Sequence, residues 1–571
     1  MPDPITNELT ITVTGTLDFA GTVVVTSVIS FGEPEPPEPT PPPDEDTAPL
    51  CVRIDYGGAS YVYDEVLGED LGDYHEPGGH FVQRCVLCVL PDLVGFRVMF
   101  RRDRGIPARD EVVFELGGLW DTVPANMESY ICTIMRGPTT LAVVQAPAHY
   151  WHCRWRWQSW PRPIIYQPDS CAHALPPYSE ALFGDAIPLS IPRVYAGPMD
   201  LAGIQPYIPG TGERDDIGLF TEGQAEYLCT GSDTAWASVQ AWLEGAGTIP
   251  LHFRDDRTHA PLDWVQYPNA TMYNPNGADP FISNPPGGLV TLDVAHEGSF
   301  AFLPFLLTGD PYALEAMQFT VVYNVVMATP GARAKYNVGN GVRACAWTLR
   351  ALAQAAEMTP DTVPSWLLPR GIFKSRMDDE RDWFMSSYVN SAVEPAVNLS
   401  LVGDSAGSIA SPPLPAGTWM AVWQEDFLTT VVGWIVGMGH EDWRPILEWK
   451  CCDVMARTNG TSGWTRAVPT LYAMALRSAS DAPYASNWAV CWDLNVSIQP
   501  DVCVYDDPDA IPDTLNLTYP SYALGALALA ARAGVPQAQA CYDWLLSELQ
   551  RCTNASRYPR RKWAMASPAG Y

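Results

Sequence analysis

The sequence predicts a multidomain α+β protein, in which N-terminal β modules precede an (α/α)6 toroid of helical hairpins. Two observations support this fold class. Apolar and polar residues alternate with a period of two over much of residues 5–160, which is typical of strands. Beyond that point, an apolar helix, a short break and a second helix recur six times. Four breaks contain a glycine that favours a left-handed helix end: Gly231, Gly309, Gly439 and Gly534.

The chain of 571 residues is too long for one hydrophobic core, and its composition changes at three places. Leu9 to Val13 alternate with threonines, which predicts a small β unit. The Pro- and Glu-rich stretch that follows favours an extended spacer, or a disordered tail together with the β unit. We therefore predict a β anchor module (1–32), a linker (33–49), a β-sandwich or barrel with a Pro-rich connection (50–210) and the toroid (211–571).

The last predicted strand of the β domain has two different faces. Trp151, Cys153, Trp155 and Trp157 share one face because side chains alternate along a strand. The other face carries four polar or basic side chains: His152, Arg154, Arg156 and Gln158. In an acidic protein, this basic face could hold an acidic glycan or the neighbouring helical domain.

The helical hairpins predict an inner and an outer layer. The first helices of the six pairs are apolar on more than one side, which indicates burial. The second helices are more amphipathic, so they are expected outside. The first helices are predicted to start near Leu219, Asp293, Gly341, Thr418, Thr465 and Tyr519. The second are predicted to start near Ser232, Asp310, Met377, His440, Ser486 and Val535.

Charge and composition exclude several classes of partner. The chain has 34 basic and 65 acidic residues, and its net charge of −31 disfavours nucleic acid and anionic membranes. No stretch approaches the roughly 20 apolar residues of a membrane span, and the start lacks the pattern of a signal peptide. No phosphate loop, nucleophile elbow or metal-ligand cluster is recognisable, so no cofactor or metal is expected. Cys85 and Cys88 fit core thiols better than zinc ligands.

Two segments resemble uncharacterised tailed-phage and prophage proteins. They are LDVAHEGSFAFLPFLLTGD at 292–310 and RACAWTLRALAQA at 343–355. The architecture is similar to that of exo-rhamnogalacturonan-lyase-like proteins, and the resemblance covers roughly residues 130–550. It implies β domains followed by an α/α toroid. Glu297-Gly298 stands where those relatives are expected to have Gln-Pro. The β anchor and spacer resemble virion attachment modules, which implies a virion location, other virion proteins as partners and a homo-oligomer in the particle.

Inner helices of a toroid start on one face, so their first turns are expected to surround a common cup. Carboxylates and a histidine there suggest acid–base chemistry on a sugar. The catalytic candidates are Glu222, His296, Glu297, Glu425 and Asp426. The substrate-binding candidates are Arg343, Trp347, Trp423, Arg466, Tyr519 and Tyr522 from the cup, and Asp263 and Trp264 from a long loop.

These candidates admit different chemistries and also structural interpretations. Glycoside hydrolysis would use two carboxylates, either Glu222 with Glu297 or Glu297 with Asp426. A lyase would use Arg343 against a uronate, with His296 or a tyrosine as the base. The neighbours Glu425 and Asp426 lie in an apolar helix, where they need either a cup or an ion pair.

The sequence therefore supports three functions. The first is a phage virion surface protein, such as a tail fibre, spike or head fibre, that binds host glycan through the cup. The second is a glycoside hydrolase or polysaccharide lyase that uses the same cup. The third is a purely structural decoration protein.

Overall fold

The structure is a computed structural model that describes residues 8–17, 21–30, 48–105, 109–120, 125–182, 187, 189–206, 214–272, 282, 287–328, 341–402, 413–458, 470, 472–500, 518–550 and 560–568. The chain forms two compact units, Met1–Pro49 and Leu50–Tyr571.

The first unit contains one β-hairpin. Strands β1 (Glu8–Leu17) and β2 (Gly21–Ser30) pair antiparallel, with Glu8 opposite Ser30 and Leu17 opposite Gly21. The period-two pattern at the start of the chain therefore forms strands, as predicted. The predicted linker, apart from residues 48 and 49, lies outside the described residues.

The second unit begins with two antiparallel β-sheets that pack face to face as a sandwich. One sheet has the strand order β10-β9-β3-β4, the other β11-β8-β7-β6-β5, and all pairs are antiparallel. The strands are β3 (Leu50–Tyr56), β4 (Ala59–Asp64), β5 (Glu69–His75), β6 (Phe81–Val89), β7 (Phe96–Gly105), β8 (Arg109–Leu116), β9 (Tyr130–Arg136), β10 (Thr139–Ala146) and β11 (Cys153–Gln158).

The inner faces of the two sheets enclose an apolar core. Val52 and Ile134 come from the four-stranded sheet, and Val98 and Phe114 from the five-stranded sheet. Trp155 of β11 stacks on Phe114 with ring centroids 4.1 Å apart. The tryptophan face of β11 is therefore the face that enters the sandwich.

Twelve α-helices follow among the described residues, so the coarse order of β sheets before helices is as predicted. They are α1 (Glu222–Thr230), α2 (Asp233–Ala246), α3 (Phe302–Thr308), α4 (Pro311–Val326), α5 (Val342–Met358), α6 (Arg370–Phe384), α7 (Ala396–Leu399), α8 (Trp423–Gly437), α9 (Arg444–Thr458), α10 (Trp488–Ile498), α11 (Thr518–Arg532) and α12 (Ala538–Gln550). A two-residue ladder, β12 (Trp419–Met420) with β13 (Met474–Ala475), lies among them.

The glycine breaks were predicted correctly. Gly231 and Gly309 cap α1 and α3 in the left-handed conformation, with φ of 62° and 64°. Gly439 and Gly534 also have positive φ just after α8 and α11. Ser232 and Asp310 then cap α2 and α4 through their side chains, which accept backbone N–H bonds.

The start of the second hairpin was predicted wrongly. Residues 293–300 form no helix, and α3 begins at Phe302 instead of near Asp293. The helix start is set by Pro304, which has no N–H to donate and fits only the first turn. Its partner α4 is buried on nearly all sides because it packs against the sandwich. The prediction that second helices are amphipathic is therefore wrong for α4.

The basic face of the five-stranded sheet meets these helices through buried ion pairs. Glu315 of α4 accepts bonds from Arg101 (2.6 Å), Arg154 (3.0 Å) and Arg254 (2.7 Å). Arg156 of β11 pairs with Asp310 at 2.7 Å. Of the two predicted roles for this face, the structure shows contact with the neighbouring helices. The predicted boundary at residue 210 thus falls inside one compact unit.

Candidate functional site

A cavity of about 270 Å³ lies between the helices and the segment that precedes α3. Its walls are the 204–206 and 214–216 segments, the end of α2, residues 290–301, and inward-facing parts of α4 and α5. Clefts that bind small ligands commonly have a few polar groups in a mainly apolar wall. This cavity has that composition.

Asp293 and His296 form a hydrogen-bonded pair in the cavity wall. The Nδ1 of His296 lies 2.6 Å from Oδ2 of Asp293, while Oδ1 accepts the N–H of Ala295 at 2.9 Å. Burial lowers the pKa of His296, and the charges of Arg343 and Arg214 lower it further. The imidazole is therefore neutral at pH 7. Since Nδ1–H donates to Asp293, the lone pair is on Nε2, which has no hydrogen-bond partner among the described residues.

Glu297, the next residue, is the least satisfied acid in the wall. It is 8% exposed, and neither of its buried carboxylate oxygens has a hydrogen-bond partner among the described residues. Burial raises its pKa well above the ordinary value. The amide of Asn324 and the charge of Arg350 favour the anion, but Asn324 does not reach hydrogen-bond geometry. The surroundings of Glu297 therefore favour the protonated carboxyl over the carboxylate.

Arg350 of α5 holds two walls of the cavity together. Its guanidinium donates to the carbonyl oxygen of Gly218 at 2.7 Å and to that of Glu297 at 2.5 Å. The same group lies 4.5 Å from the centroid of the Trp347 ring. Burial lowers the pKa of Arg350 to about 10, so it is still charged at pH 7. It fixes the backbone that carries Glu297.

Two further arginines supply positive charge near Asp293. Arg214 lines the cavity and pairs with Asp216 at 2.8 Å. Arg343, at the start of α5, interacts electrostatically with Asp293. Burial lowers the pKa of Arg343, and the charge of Asp293 opposes this shift. The polar side of the cavity thus contains acceptors and cations close together.

Gly298 allows the wall to turn sharply. A Cβ atom at this position would overlap the ring of Phe300, which folds back against it. Phe300 in turn lines the cavity and packs edge-to-face on Trp242, 5.3 Å between centroids. Gly298 thus leaves room for an aromatic wall residue.

The structure separates Glu222 from this cavity. Its carboxylate accepts the backbone N–H groups of Arg561 at 3.0 Å and of Lys562 at 3.4 Å. Burial raises its pKa, although the charges of Lys562 and Arg560 oppose the shift. Glu222 begins α1 as predicted, but it joins α1 to the C-terminal segment, and it does not pair with Glu297 across a cup.

Glu425 and Asp426 belong to a buried ion-pair network between α8 and α9. Glu425 pairs with Lys450 at 2.5 Å and Asp426 with Arg457 at 2.5 Å. Asp453 bridges the two cations, 3.4 Å from Lys450 and 2.9 Å from Arg457. All five side chains are fully buried. Of the two predicted interpretations, ion pair and cup, the contacts show the ion pair.

The predicted aromatic binding residues lie in the core. Trp423 packs against Tyr519 and Tyr522, with centroids 5.8 and 5.2 Å away, and Tyr522 packs on Trp563 at 3.9 Å. Trp347 packs edge-to-face on Phe427 at 5.9 Å. The starts of α8 and α11 thus lie side by side, and their rings fill the space between them.

Asp263 and Trp264 also lie outside the cavity. Asp263 accepts the N–H groups of Val265 and Gln266, which stabilises a turn. Trp264 is buried against Phe373, 5.6 Å between centroids. Arg466 lies outside the described residues.

Sequence reasoning missed several cavity residues. Arg214 and Met317 were not candidates, because one lies in an irregular segment and the other in a helix predicted to be outer. Arg350 was not a candidate either. The available signal was a run of mixed charge, Arg214-Asp215-Asp216, just before a helix with a capping box.

No protein family, curated protein or solved structure matches this chain. None of the helices in the described part of the chain is long and apolar enough to cross a membrane.

Proposed function

We propose that this protein is a virion surface component of a tailed phage, such as a tail fibre, spike or head fibre, and that it binds a host surface glycan in the cavity beside Asp293 and His296. The observation that carries the binding proposal is the cavity itself. It combines an apolar interior with the carboxylate of Asp293, the imidazole of His296 and the guanidinium of Arg214. Sugars present apolar C–H faces and hydroxyl groups together, so both kinds of wall find a counterpart.

The size of the cavity supports a small ligand. Sites for drug-sized molecules measure roughly 300–1,000 Å³. At about 270 Å³, this cavity suits a single sugar ring better than several rings bound side by side. We therefore propose recognition of one residue or one branch of the glycan.

The proposal includes the finer fold prediction, the (α/α)6 toroid. Its support is that neighbouring helices pack in an order consistent with a ring: α4 on α5, α5 on α8, and α8 on α11. The turn at Arg561–Trp563 contacts both α11 and α1. A solved structure that includes the undescribed segments tests this arrangement.

Binding is tested with a panel of monosaccharides and host-type glycans by saturation-transfer NMR and calorimetry. Asp293→Asn removes the charge of the acceptor beside His296 and is expected to weaken binding about tenfold, since hydrogen bonds to charged groups contribute about 1.5–3 kcal/mol. Asp263→Asn is the matched control, because this acid lies outside the cavity. If no glycan binds, the proposal is refuted and a purely structural role is favoured. If both variants weaken binding equally, the assignment of binding to this cavity is refuted.

The virion location rests on the resemblance and on the N-terminal unit. Met1–Pro49 is a compact unit separate from Leu50–Tyr571, so it can be deleted without removing any strand of the sandwich. Deletion of residues 1–49 is expected to abolish incorporation into particles while glycan binding is retained. Particles that still contain the truncated protein would contradict the attachment role.

Cleavage of the glycan is a second candidate function, and one observation favours it. His296, oriented by Asp293, is a candidate base, and Glu297, whose pKa is raised by burial, is a candidate acid in the neighbouring position. Incubation with host capsule or lipopolysaccharide separates the outcomes. New reducing ends alone indicate hydrolysis, and new absorbance from double bonds indicates elimination. His296→Asn is expected to abolish either product while it preserves the fold.

A further inference from the structure

We infer that the glycan continues from the cavity to a second sugar subsite, which is formed by the guanidinium of Arg343 and the ring of Tyr472. This inference rests on the proposed function and extends its ligand from one sugar to at least two linked sugars. It derives from the open side of the cavity, the position of Arg343 on α5 and the aromatic cluster beyond it.

Asp293 marks an opening of the cavity. It is one of the lining residues, yet its side chain is 47% exposed, whereas the side chain of its partner His296 is 15% exposed. Arg343 interacts electrostatically with both Asp293 and His296. The guanidinium of Arg343 therefore lies beside the opening.

Arg343 projects from the same face of α5 as Arg350. The two residues are seven positions apart, which is nearly two helical turns, or about 10 Å along the helix axis. Arg350 lines the cavity, so Arg343 continues this face from the cavity towards the start of α5. The partly exposed guanidinium of Arg343 makes no hydrogen bond to any residue that the structure describes. Its donors are therefore available to a ligand.

An aromatic cluster begins next to Arg343. The backbone N–H of Arg343 donates to the side-chain oxygen of Gln424 at 3.0 Å, in the first turn of α8. The preceding residue, Trp423, packs on Tyr519 with ring centroids 5.8 Å apart. The ring of Tyr519 lies 5.6 Å from that of Tyr472, and Tyr472 also interacts electrostatically with Arg343. These contacts place Tyr472 on the side of Arg343 away from the cavity.

Tyr472 is the more accessible ring among its neighbours. Trp419 and Tyr519 are 7% and 6% exposed, while Tyr472 is partly exposed. Trp419 lies 6.2 Å from Tyr472, and the ladder of Trp419–Met420 with Met474–Ala475 fixes the segment that carries Tyr472. The ring is thus supported by buried neighbours.

A guanidinium beside a supported ring suits a sugar. The ring offers an apolar surface to the C–H groups of the sugar, and the guanidinium offers several N–H donors to its hydroxyl groups. The cavity has room for one sugar ring, so the neighbouring sugar of the same chain lies outside it. Arg343 and Tyr472 provide a contact for that neighbour.

The test compares one-sugar and two-sugar ligands on the full-length protein by calorimetry. The monosaccharides are glucose, galactose and mannose, and the disaccharides are maltose, cellobiose, lactose, melibiose and α-1,2-mannobiose. We expect at least one disaccharide to bind about 3- to 10-fold tighter than its component sugars, the effect of one aromatic contact. Disaccharides that bind no tighter than their components overturn the inference but leave glycan binding intact. Absence of binding by every sugar and host-type glycan refutes the proposed function itself.

Variants assign the gain in affinity to the second subsite. Tyr472→Ala should reduce the ratio of disaccharide to monosaccharide affinity to less than twofold, and Tyr472→Phe, which keeps the ring, should preserve it. Tyr484→Ala is the matched control, because Tyr484 is also partly exposed but packs on Arg477, 4.7 Å from its ring centroid. A ratio that survives Tyr472→Ala overturns the inference. Should that variant fail to fold, Arg343→Gln removes the guanidinium, and an unchanged ratio there contradicts the subsite.

Discussion

The network between α8 and α9 and the cavity beside α3 both bury acidic side chains, but they treat them differently. In the network, Glu425 and Asp426 each contact a cation at 2.5 Å. In the cavity, Glu297 has no hydrogen-bond partner for either carboxylate oxygen among the described residues. Partnered buried acids specify packing, whereas an unsatisfied acid in a cavity wall is a candidate for contact with a ligand.

The difference between the network and the cavity cannot be recognised from the local sequence around these acids. Glu425 and Asp426 lie in an apolar helix, which makes them look anomalous, while Glu297 looks like an ordinary loop residue. The cations that satisfy the first pair are 25 and 31 residues away, on the next helix. The comparison therefore rests on tertiary contacts, and the following substitutions test it.

The largest effect is expected from Arg457→Met. It removes the partner of Asp426 and one partner of Asp453, and an uncompensated buried charge costs about 3–5 kcal/mol. We expect a large loss of thermal stability, measured by calorimetry, with little soluble protein at 37 °C. Arg444→Met, which removes the exposed pair with Glu441 and a bond to the carbonyl of Ala533, is the control and should change stability far less. Equal effects would show that the network contributes no more than a surface pair.

A smaller effect is expected from Gly298→Ala. The added Cβ overlaps the Phe300 ring, and relief of such overpacking typically costs about 1–3 kcal/mol. Displacement of Phe300 should also alter the cavity, so ligand affinity should fall together with the melting temperature. Gly371→Ala, whose Cβ would meet no atom within 4 Å, should leave both unchanged. A stable Gly298→Ala variant with normal affinity would contradict the close packing.

Glu297→Gln tests the cavity side of the comparison through pH. The folded protein raises the pKa of Glu297, so the folded state holds a proton that the unfolded state releases above about pH 4.3. Its contribution to stability is therefore present at low pH and is lost as pH rises. Glutamine does not titrate, so the melting temperature of the variant relative to wild type should increase from pH 4 to pH 8. A constant difference would show that Glu297 is ionised in the folded protein.

The smallest effect on stability is expected from Asp293→Asn. Its pair with His296 is partly exposed, and such pairs contribute about 0–1 kcal/mol. The burial that lowers the pKa of His296 remains, but Asp293 no longer opposes it, so the pKa should fall further. NMR titration of the imidazole measures this shift. A raised pKa in the variant would contradict the hydrogen bond.

Much of the fold could be predicted from local patterns. The period-two segments gave strands because one face of each strand enters a core, and the glycine breaks ended helices because glycine accepts positive φ. The start of α3 could not be predicted, because Asp293 looks like a helix cap and only Pro304 limits the first turn. The assignment of side chains to the two faces of β11 was correct. The surface that covers its arginine face could not be predicted, because it contains Glu315, which is 161 residues from Arg154 in the sequence.

The candidate site was predictable in part. His296 and Glu297, predicted as catalytic candidates in the first turn of a helix, both line the cavity but lie in a non-helical segment. Their catalytic role stays a prediction. Arg343, another predicted residue, interacts electrostatically with Asp293 in the same wall. Glu222, Trp423, Tyr519 and the α8 acids could not be assigned by pattern, because their partners come from distant segments. Whether a first-turn residue faces a ligand or a neighbouring ring depends on those partners.

The contact between Glu222 and the Arg561–Trp563 turn has a consequence for biosynthesis. Glu222 opens the first helix, and the N–H that binds its carboxylate is 339 residues further along the chain. The ribosome therefore exposes α1 long before the group that satisfies its buried acid has been made. During this interval the carboxylate of Glu222 lacks these partners, so packing at the start of α1 can be completed only after Arg561 and Lys562 have been made.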